Sequence, residues 1–298
     1  MPLTEQKIKE LELRANAIRE SIISMLLEAG SGHTAGPLGM ADVFATLYFH
    51  TLNHDPKKPE WPERDRVVLS NGHICPVLYA TMAHAGYFPV SELKTLRKLG
   101  SRLQGHPHRE FLPYLENSSG PLASGLSQAV GMAIADRMDN REAGASGTER
   151  GTASHRRIYC LMSDGEHDAG NTWEAVLLAG KEKLNNLVAI VDRNNIQIDG
   201  YTEDVMPLES FANKYITFNW HVIEIDGNNI AEIARALDEA KTIFEKPTMI
   251  VAHTIPGKGV AEFERKYEWH GKAPNKEEAN MALRELRTLG GRIRSEHE

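Results

Sequence analysis

The chain has 298 residues, of which 41% are hydrophobic and 25% are charged, a composition typical of a globular protein with a sizeable core. Its net charge of −7, from 34 basic and 41 acidic residues, argues against nucleic acid or an anionic membrane as its partner. The sequence shows no signal-peptide pattern and no apolar run of membrane-spanning length, and the two cysteines, Cys75 and Cys160, lack metal-like spacing, so we expect a cytoplasmic protein with reduced thiols.

The amino-terminal part of the sequence predicts two helices separated by a glycine-rich loop. Apolar residues recur every three or four positions over residues 4–29, and Gly30 can end that helix. Residues 31–40 form the loop, which carries His33, and a second helix is predicted over about 41–52. Glycine-rich loops usually only turn the chain, so His33 on its own is more readily explained as structural.

Two further segments place small residues or a histidine at the start of a helix. Residues 66–70 predict a short strand, and Asn71-Gly72-His73 opens the helix that follows it. Gly120-Pro121-Leu122 leads into a helical run over 126–138, while Gly105-His106-Pro107 lies in a turn. Helix N-termini and runs of small residues favour anions, so both helix starts are candidate phosphate-binding positions.

The middle of the chain predicts a parallel strand–helix–strand unit. Two short apolar runs, residues 158–162 and 187–191, flank an amphipathic run over 172–184. Asp164 follows the first strand and Asn194 follows the second. Because the carboxyl ends of parallel strands meet at one edge of a sheet, both side chains are expected at the same ligand-binding edge.

Asp164 and Asn194 offer hard oxygen ligands, which Mg²⁺ prefers together with phosphate oxygens and water. Gly165 between them allows the backbone to approach a ligand closely. Spacing alone leaves the alternative open that the two segments are ordinary turns.

The remaining elements continue an alternation of strands and helices. They are a helix over 208–215, a strand over 221–225, a helix over 229–244, a strand over 247–253 and a helix over 276–292. We therefore predict a single α/β domain, residues 1–298, with a mostly parallel sheet and helices on both faces. Residues 139–156 are predicted to be an exposed insertion, and residues 276–298 a carboxyl-terminal helix and tail.

The Asp164-Gly165 pair, with Asn194 30 positions further on, resembles the thiamine diphosphate signature, and the continuation Asn194–Gly200 resembles transketolase. The resemblance implies that Asp164, Asn194 and the Ile196 carbonyl hold the metal ion, Mg²⁺ or alternatively Ca²⁺ or Mn²⁺, that bridges the cofactor's phosphates. The chain departs from the family at Ser163, where glycine is usual, and at Ala169, where a glutamate that meets the neighbouring subunit is usual.

Other family motifs occur in family order over residues 30–271, ending at Trp269-His270-Gly271. The resemblance implies that the cofactor is held by His73, Gly120, Pro121, Leu122, Gly165 and Asn194. It further implies that His33, His106 and His270 handle the hydroxyl groups and protons of the substrate.

The activity implied is transfer of a two-carbon ketol unit from a ketose phosphate to an aldose phosphate, as in the pentose phosphate pathway. Full-length transketolases resemble this chain only over their first part, and their second part supplies the pyrimidine-binding domain. We therefore expect the amino-terminal subunit of a split transketolase, which would form an α₂β₂ assembly with its partner and a homodimer when alone.

Two alternatives remain at this point. The chain could belong to another split thiamine enzyme, either a transketolase for an unusual sugar or the α subunit of a 2-oxoacid dehydrogenase. The histidines at 33, 106 and 270 disfavour the dehydrogenase, whose intermediate needs no such polar contacts. Alternatively, it could be a non-catalytic chain that regulates or scaffolds a partner, to which Ala169 alone points.

Overall fold

A five-stranded parallel sheet runs through the computed structural model, which describes residues 3–142 and 156–296. Its strands are β1 (Arg66–Leu69), β2 (Ile158–Ser163), β3 (Leu187–Asp192), β6 (His221–Asp226) and β7 (Thr248–His253). They lie in the order β1-β2-β3-β7-β6, and every neighbouring pair is parallel. A small antiparallel pair, β4 (Ile196–Gln197) and β5 (Gly200–Tyr201), lies outside this sheet. The predicted α/β fold with a mostly parallel sheet is confirmed.

Helices cover both faces of the sheet. They are α1 (Glu5–Ala29), α2 (Ala35–Gly39), α3 (Ala41–Thr46), α4 (Cys75–Ala85), α5 (Ser124–Glu142), α6 (Gly170–Glu182), α7 (Thr202–Val205), α8 (Phe211–Thr217), α9 (Ile230–Ala240) and α10 (Lys276–Glu296). Short 3₁₀ turns cover Gly72–Ile74, Val90–Thr95, Gly165–Asp168 and Tyr267–Trp269. No helix within the described ranges combines the length and apolarity needed to cross a bilayer.

The first helix begins and ends where its sequence signals lie. The Thr4 hydroxyl accepts a hydrogen bond from the Lys7 backbone N–H at 3.2 Å, which satisfies one of the free donors of the first turn. Gly30 ends the helix with a φ of 64°, a left-handed conformation that glycine adopts without steric cost.

Several secondary-structure predictions were wrong, and three of them are as follows. The glycine-rich loop contains the short helix α2, which tolerates Pro37 because the first turn of a helix needs no N–H donor there. The helix predicted over 41–52 changes after Thr46 to a single π-helical turn, Leu47–Thr51. Helix α5 extends to Glu142, so residues 139–142 of the predicted insertion are helical, and residues 143–155 lie outside the described ranges.

The side chains of each central strand alternate between two separate apolar cores. On β2, Tyr159 and Leu161 pack with helices α1, α3, α4, α9 and α10, while Cys160 and Met162 pack with α5, α6 and α8. Both cysteines are free and buried. This two-sided burial explains why β2 and β3 are apolar throughout, as expected of parallel strands covered on both faces.

The parallel arrangement brings the strand ends together. The segments after β1, β2, β3 and β7 begin with Ser70, Asp164, Arg193 and Thr254. In the β2–β3 register Ser163 lies opposite Asp192, and the Asp164 backbone N–H donates to the Asp192 carbonyl at 3.2 Å. The polar residues that the sequence placed after these strands therefore share one edge of the sheet.

Two helical glycines provide a matched test of this packing. A Cβ atom on Gly180 of α6 would lie 1.9 Å from the Phe218 carbonyl oxygen, whereas one on Gly131 of α5 would meet no atom within 4 Å. We expect Gly180→Ala to destabilise the isolated chain by roughly 1–3 kcal/mol through overpacking. Gly131→Ala should stabilise it by about 0.5–1 kcal/mol, because alanine is the better helix former.

Urea unfolding of the parent and both variants, followed by circular dichroism, measures these changes. Equal midpoints for parent and Gly180→Ala would contradict the close approach of α6 to residue 218.

Candidate functional site

Asp164 is buried at the end of β2, where both of its carboxylate oxygens accept hydrogen bonds. Oδ1 accepts from the Gly165 backbone N–H at 2.8 Å. Oδ2 accepts from the Asn195 N–H at 2.8 Å, from Arg193 Nη1 at 3.1 Å and from the Thr202 hydroxyl at 3.4 Å. Burial raises the pKa of Asp164, and the Arg193 guanidinium opposes that rise. The turn after β2 is thus joined directly to the turn after β3.

Asn194 is held in one orientation by a buried carboxylate. Its Nδ2 donates to Asp192 Oδ2 at 2.7 Å, and its Oδ1 accepts from the Ile196 backbone N–H at 3.0 Å. Asp192 also accepts from the Thr254 hydroxyl, and burial raises its pKa to about 7. Because Asp192 takes the amide N–H₂, the Asn194 oxygen is directed the other way, toward the turn that contains Ile196.

Arg193 links this pair to the segment that follows β5. Its buried guanidinium donates to Glu203 at 2.6 Å and to Glu209 at 2.8 Å, in addition to Asp164. Burial alone would lower the pKa of Arg193, but the hydrogen bonds to these carboxylates outweigh it and raise the pKa. One fully charged side chain therefore fixes both the candidate metal ligand and the neighbouring loop.

Glycines provide close backbone approach at the predicted cofactor positions. A Cβ on Gly72 would lie 2.7 Å from the Ser119 hydroxyl and 3.0 Å from the Gly120 nitrogen, so the turns after β1 and before α5 touch. Gly120 has a φ of 155°, and its backbone lies beside His106. A Cβ on Gly165 would come within 3.0 Å of the Gln197 side chain.

Three of the four predicted histidines form a cluster. The ring centres of His33, His73 and His270 are separated by 4.9 Å (33–73), 5.5 Å (33–270) and 5.1 Å (73–270). His106 is exposed near Gly120, and His33 also lies near Gly271. Four segments that are distant in the sequence therefore meet at this edge of the sheet.

The cluster favours neutral imidazoles. Burial, followed by the charges of His270, Arg97 and His106, lowers the pKa of His33 to about 4. Burial also lowers the pKa values of His73, His106 and His270. Near neutral pH these rings can each donate and accept a hydrogen bond, which suits contact with hydroxyl groups.

Several buried polar atoms at this edge have no hydrogen-bond partner within the described residues. They are Asn71 Oδ1 and Nδ2, the Ser119 hydroxyl, and Nδ1 of His33 and His270. Buried polar atoms are ordinarily paired, so such a group marks a place where a polar ligand would complete the bonding. Together with the glycine approaches, these atoms fit a bound diphosphate-bearing cofactor.

The structure also places at this site residues that were not predicted from the sequence. Glu166 is buried and accepts hydrogen bonds from three of the site's segments, and Asp192 orients Asn194. The exposed Arg97 lies beside the loops that carry His33 and His106. A Cβ on Gly105 would lie 2.7 Å from its guanidinium, and a Cβ on Gly32 would lie 3.8 Å from it. Asp192 and Glu166 are acidic residues at or near the end of a buried strand, which indicates a place in the site but not a role there, whereas Arg97 has no such signal.

Comparison with known proteins agrees with this geometry. Residues 11–290 match the family model for the transketolase thiamine diphosphate binding domain. The chain belongs to the transketolase family.

Relatives of two different lengths match this transketolase chain. It is 40% identical over 288 residues to the 6-deoxy-6-sulfo-D-fructose transketolase subunit of Clostridium sp. (strain MSTE9), a match that covers 97% of the chain and 100% of the relative. It is 36% identical over 280 residues to an apulose-4-phosphate transketolase subunit of Phocaeicola vulgatus, covering 94% of the chain and 95% of the relative. By contrast, the 37% identical match to rat transketolase covers 95% of the chain but 43% of the relative.

Solved transketolase structures share the fold. The Leishmania mexicana enzyme superposes with a TM-score of 0.84 at 32% identity, covering 96% of this chain and 45% of that one. The Campylobacter jejuni enzyme gives a TM-score of 0.83 at 34% identity, covering 94% and 42%. The transketolase resemblance seen in the sequence is confirmed, and the chain corresponds to the thiamine diphosphate-binding part of the longer enzymes.

We predict that His33 stays neutral in the folded chain until the pH falls to about 4. In the unfolded chain it should titrate near 6.5, so the unfolded state binds the proton first on acidification. The contribution of His33 to the free energy of unfolding is therefore fully present above pH 6.5. It declines as the pH falls from 6.5 to about 4.

Histidine-selective NMR titration of the folded and urea-unfolded chain, with His33→Asn to assign the signal, measures both midpoints. A folded-state midpoint at the unfolded value would show that the ring is not desolvated.

Proposed function

We propose that this chain is the amino-terminal subunit of a split transketolase, which binds Mg²⁺ and thiamine diphosphate and acts with a carboxyl-terminal partner subunit. The observation that carries the proposal is the match over 97% of the chain and 100% of a relative named as a transketolase subunit. The assembled enzyme would transfer a two-carbon ketol unit from a ketose phosphate to an aldose phosphate.

The metal ion would be held by Asp164, Asn194 and the carbonyl of Ile196. Asp164 Oδ1 accepts one hydrogen bond, from Gly165, and Asn194 Oδ1 accepts one, from Ile196, which leaves each oxygen a lone pair for a cation. One carboxylate, one amide and one carbonyl, completed by phosphate oxygens and water, suit Mg²⁺. In the described part of the chain, no group of three or more His, Cys, Asp or Glu residues offers a competing site.

The diphosphate would lie between the turns that contain Gly72, Gly120 and Gly165. The buried side chain of Asn71 and the hydroxyl of Ser119 have hydrogen-bonding capacity that phosphate oxygens or bound water would satisfy. His73 directly follows Gly72, and Pro121 and Leu122 directly follow Gly120, so these three residues would border the same space along the cofactor. When bound, thiamine diphosphate supplies the carbon nucleophile that accepts the two-carbon unit.

His33, His106 and His270 would act on the substrate. Nδ1 of His33 and Nδ1 of His270 have no hydrogen-bond partner among the described residues, and the lowered pKa values keep both rings neutral near neutral pH. A neutral imidazole can accept a proton from a hydroxyl at one nitrogen while donating from the other. The cluster can thus orient a polyhydroxylated substrate and move protons without holding a net charge beside it.

The partner subunit would cover this edge of the sheet, and two copies of each subunit would form an α₂β₂ assembly. Large apolar side chains are exposed in or beside the segments that carry the proposed cofactor and metal residues, since Leu122 is 44%, Ile198 65% and Tyr201 46% exposed. A contiguous exposed apolar surface commonly marks a protein interface. Without its partner, the chain would associate as a homodimer.

An unusual sugar substrate is the second candidate function. The two subunit relatives whose lengths match this chain are named for 6-deoxy-6-sulfo-D-fructose and for apulose-4-phosphate. Transfer assays of the assembled enzyme with these ketoses and with common ketose phosphates would separate the two candidates.

We predict that Asp164→Ala abolishes Mg²⁺-dependent binding of thiamine diphosphate, because the diphosphate loses its cationic link to the chain. Isothermal titration calorimetry with cofactor and Mg²⁺ measures the loss, and circular dichroism shows whether the variant is folded. Asp164→Asn keeps the size of the side chain and should bind weakly. Glu245→Gln, in an exposed segment before β7, is the control and should bind like the parent. Unchanged affinity in the folded alanine variant would remove Asp164 from the metal site.

We also predict that the purified chain alone, supplied with thiamine diphosphate and Mg²⁺, does not transfer a ketol unit. A carboxyl-terminal transketolase subunit should restore transfer, because it supplies the groups that contact the pyrimidine ring. The assay follows product formation from a ketose phosphate and an aldose phosphate. Robust turnover by the chain alone, with mass spectrometry detecting no second polypeptide, would overturn the split-enzyme proposal.

A further inference from the structure

Glu166 is a buried carboxylate, 1% exposed, in the turn after β2. Its Oε1 accepts from the Ser70 hydroxyl at 2.5 Å and from the Ala123 backbone N–H at 3.1 Å. Its Oε2 accepts from the backbone N–H of Ser163 at 3.0 Å and from the Ser163 hydroxyl at 3.4 Å. Each carboxylate oxygen has about two acceptor positions, so the two donors at Oε1 and the two at Oε2 leave neither oxygen of Glu166 a free position.

The donors come from three segments that are separate in the sequence. Ser70 directly precedes Asn71-Gly72-His73, Ala123 directly follows Gly120-Pro121-Leu122, and Ser163 directly precedes Asp164. Each segment contributes residues to the candidate diphosphate site. One side chain therefore sets the spacing of all three.

The segment before α5 depends on these bonds most directly. Ala123 has a φ of 68°, a left-handed conformation that costs energy in a residue other than glycine, and its N–H is the group that donates to Glu166. Ser70 also accepts from the Gly125 N–H at 3.1 Å, which ties the first turn of α5 to the end of β1. A Cβ on Gly125 would lie 2.5 Å from Ser70 Cα, so this contact tolerates no side chain at that position.

We infer that Glu166 is a positioning residue for cofactor binding, which fixes the three diphosphate-binding turns relative to one another without contacting the cofactor. Because its acceptor positions are filled by protein donors, it is not itself a metal ligand or a general base. The inference rests on the proposed cofactor site. Carboxylates that orient binding groups from behind a site typically change ligand affinity by roughly 10- to 100-fold when replaced.

The decisive variant is Glu166→Gln, which keeps the shape of the side chain but turns one acceptor oxygen into an N–H₂ donor. That donor would face the N–H or hydroxyl groups that now bind the carboxylate, so the turns must separate. Ser70→Ala is a milder variant that removes one donor to Glu166 and leaves the carboxylate in place. Glu245→Gln serves as the matched control for loss of one acidic charge.

The measurement uses the reconstituted complex with its partner subunit, and calorimetry with two probes, Mg²⁺–thiamine diphosphate and Mg²⁺–pyrophosphate. Glu166→Gln should raise the Kd of both probes by a similar factor of roughly 10- to 100-fold, because both use the diphosphate turns. The variant should show a raised KM for thiamine diphosphate and recover the parent kcat at saturating cofactor. Ser70→Ala should change the same quantities in the same direction but less.

The outcomes separate this inference from the proposed function. If the parent complex binds neither probe, the cofactor site itself is wrong and the inference fails with it. If the parent binds and folded Glu166→Gln binds equally well, only the inference fails. A lower kcat at saturating cofactor with unchanged Kd would also overturn it, because Glu166 would then act in the reaction. If Glu166→Gln does not fold, unchanged affinity in Ser70→Ala overturns the inference and weakened affinity supports it.

Discussion

The contact on which the rest of the site depends is that of Asp164 with Arg193 and with the backbone N–H groups of Gly165 and Asn195. An isolated carboxylate at this depth would be strongly disfavoured, and burial does raise its pKa. The guanidinium and the two N–H donors offset that cost, so the carboxylate can occupy the junction of two strand ends. The same guanidinium then binds Glu203 and Glu209, which carries the constraint outward to the segment after β5.

Three buried carboxylates at this edge of the sheet, Asp164, Asp192 and Glu166, have different roles. Asp164 retains a free acceptor position, and so it can bind a cation. Asp192 and Glu166 accept hydrogen bonds from protein donors and hold other groups in place, the amide of Asn194 in one case and three turns in the other. Burial raises the pKa values of both to about 7, an electrostatic cost that is reduced by every donor they accept. The charge of Asp164 contributes to the raised pKa of Asp192, so a divalent cation bound at Asp164 would lower the repulsion between these two carboxylates.

The elements that were predicted correctly are those whose sequence signals lie within or next to the element itself. The two-sided apolar pattern of β2 and β3 and the capping of α1 by Thr4 and Gly30 were sufficient to place those elements. The motifs with Asp164 and Asn194 placed these two side chains at the same edge, because the ends of parallel strands share one edge. The short helix α2 was not predicted, since its glycines and proline are poor helix formers and its Gly39 instead packs against the backbone of Ile255 far along the chain.

The roles of Glu166 and Arg97 could not be predicted for a related reason. Glu166 acts through Ser70 and Ala123, which are 96 and 43 positions away, and Arg97 lies against glycines of two other loops. Such contacts exist only after the sheet has formed, and neither residue belongs to a motif. The histidines of the cluster, by contrast, were predicted from the sequence, but their lowered pKa values were not. His33, His73 and His270 were singled out one by one from family motifs, yet their shared neutrality comes from mutual burial. The lowered pKa values of these histidines therefore depend on the assembled edge of the sheet, because burial by neighbouring segments is their largest cause.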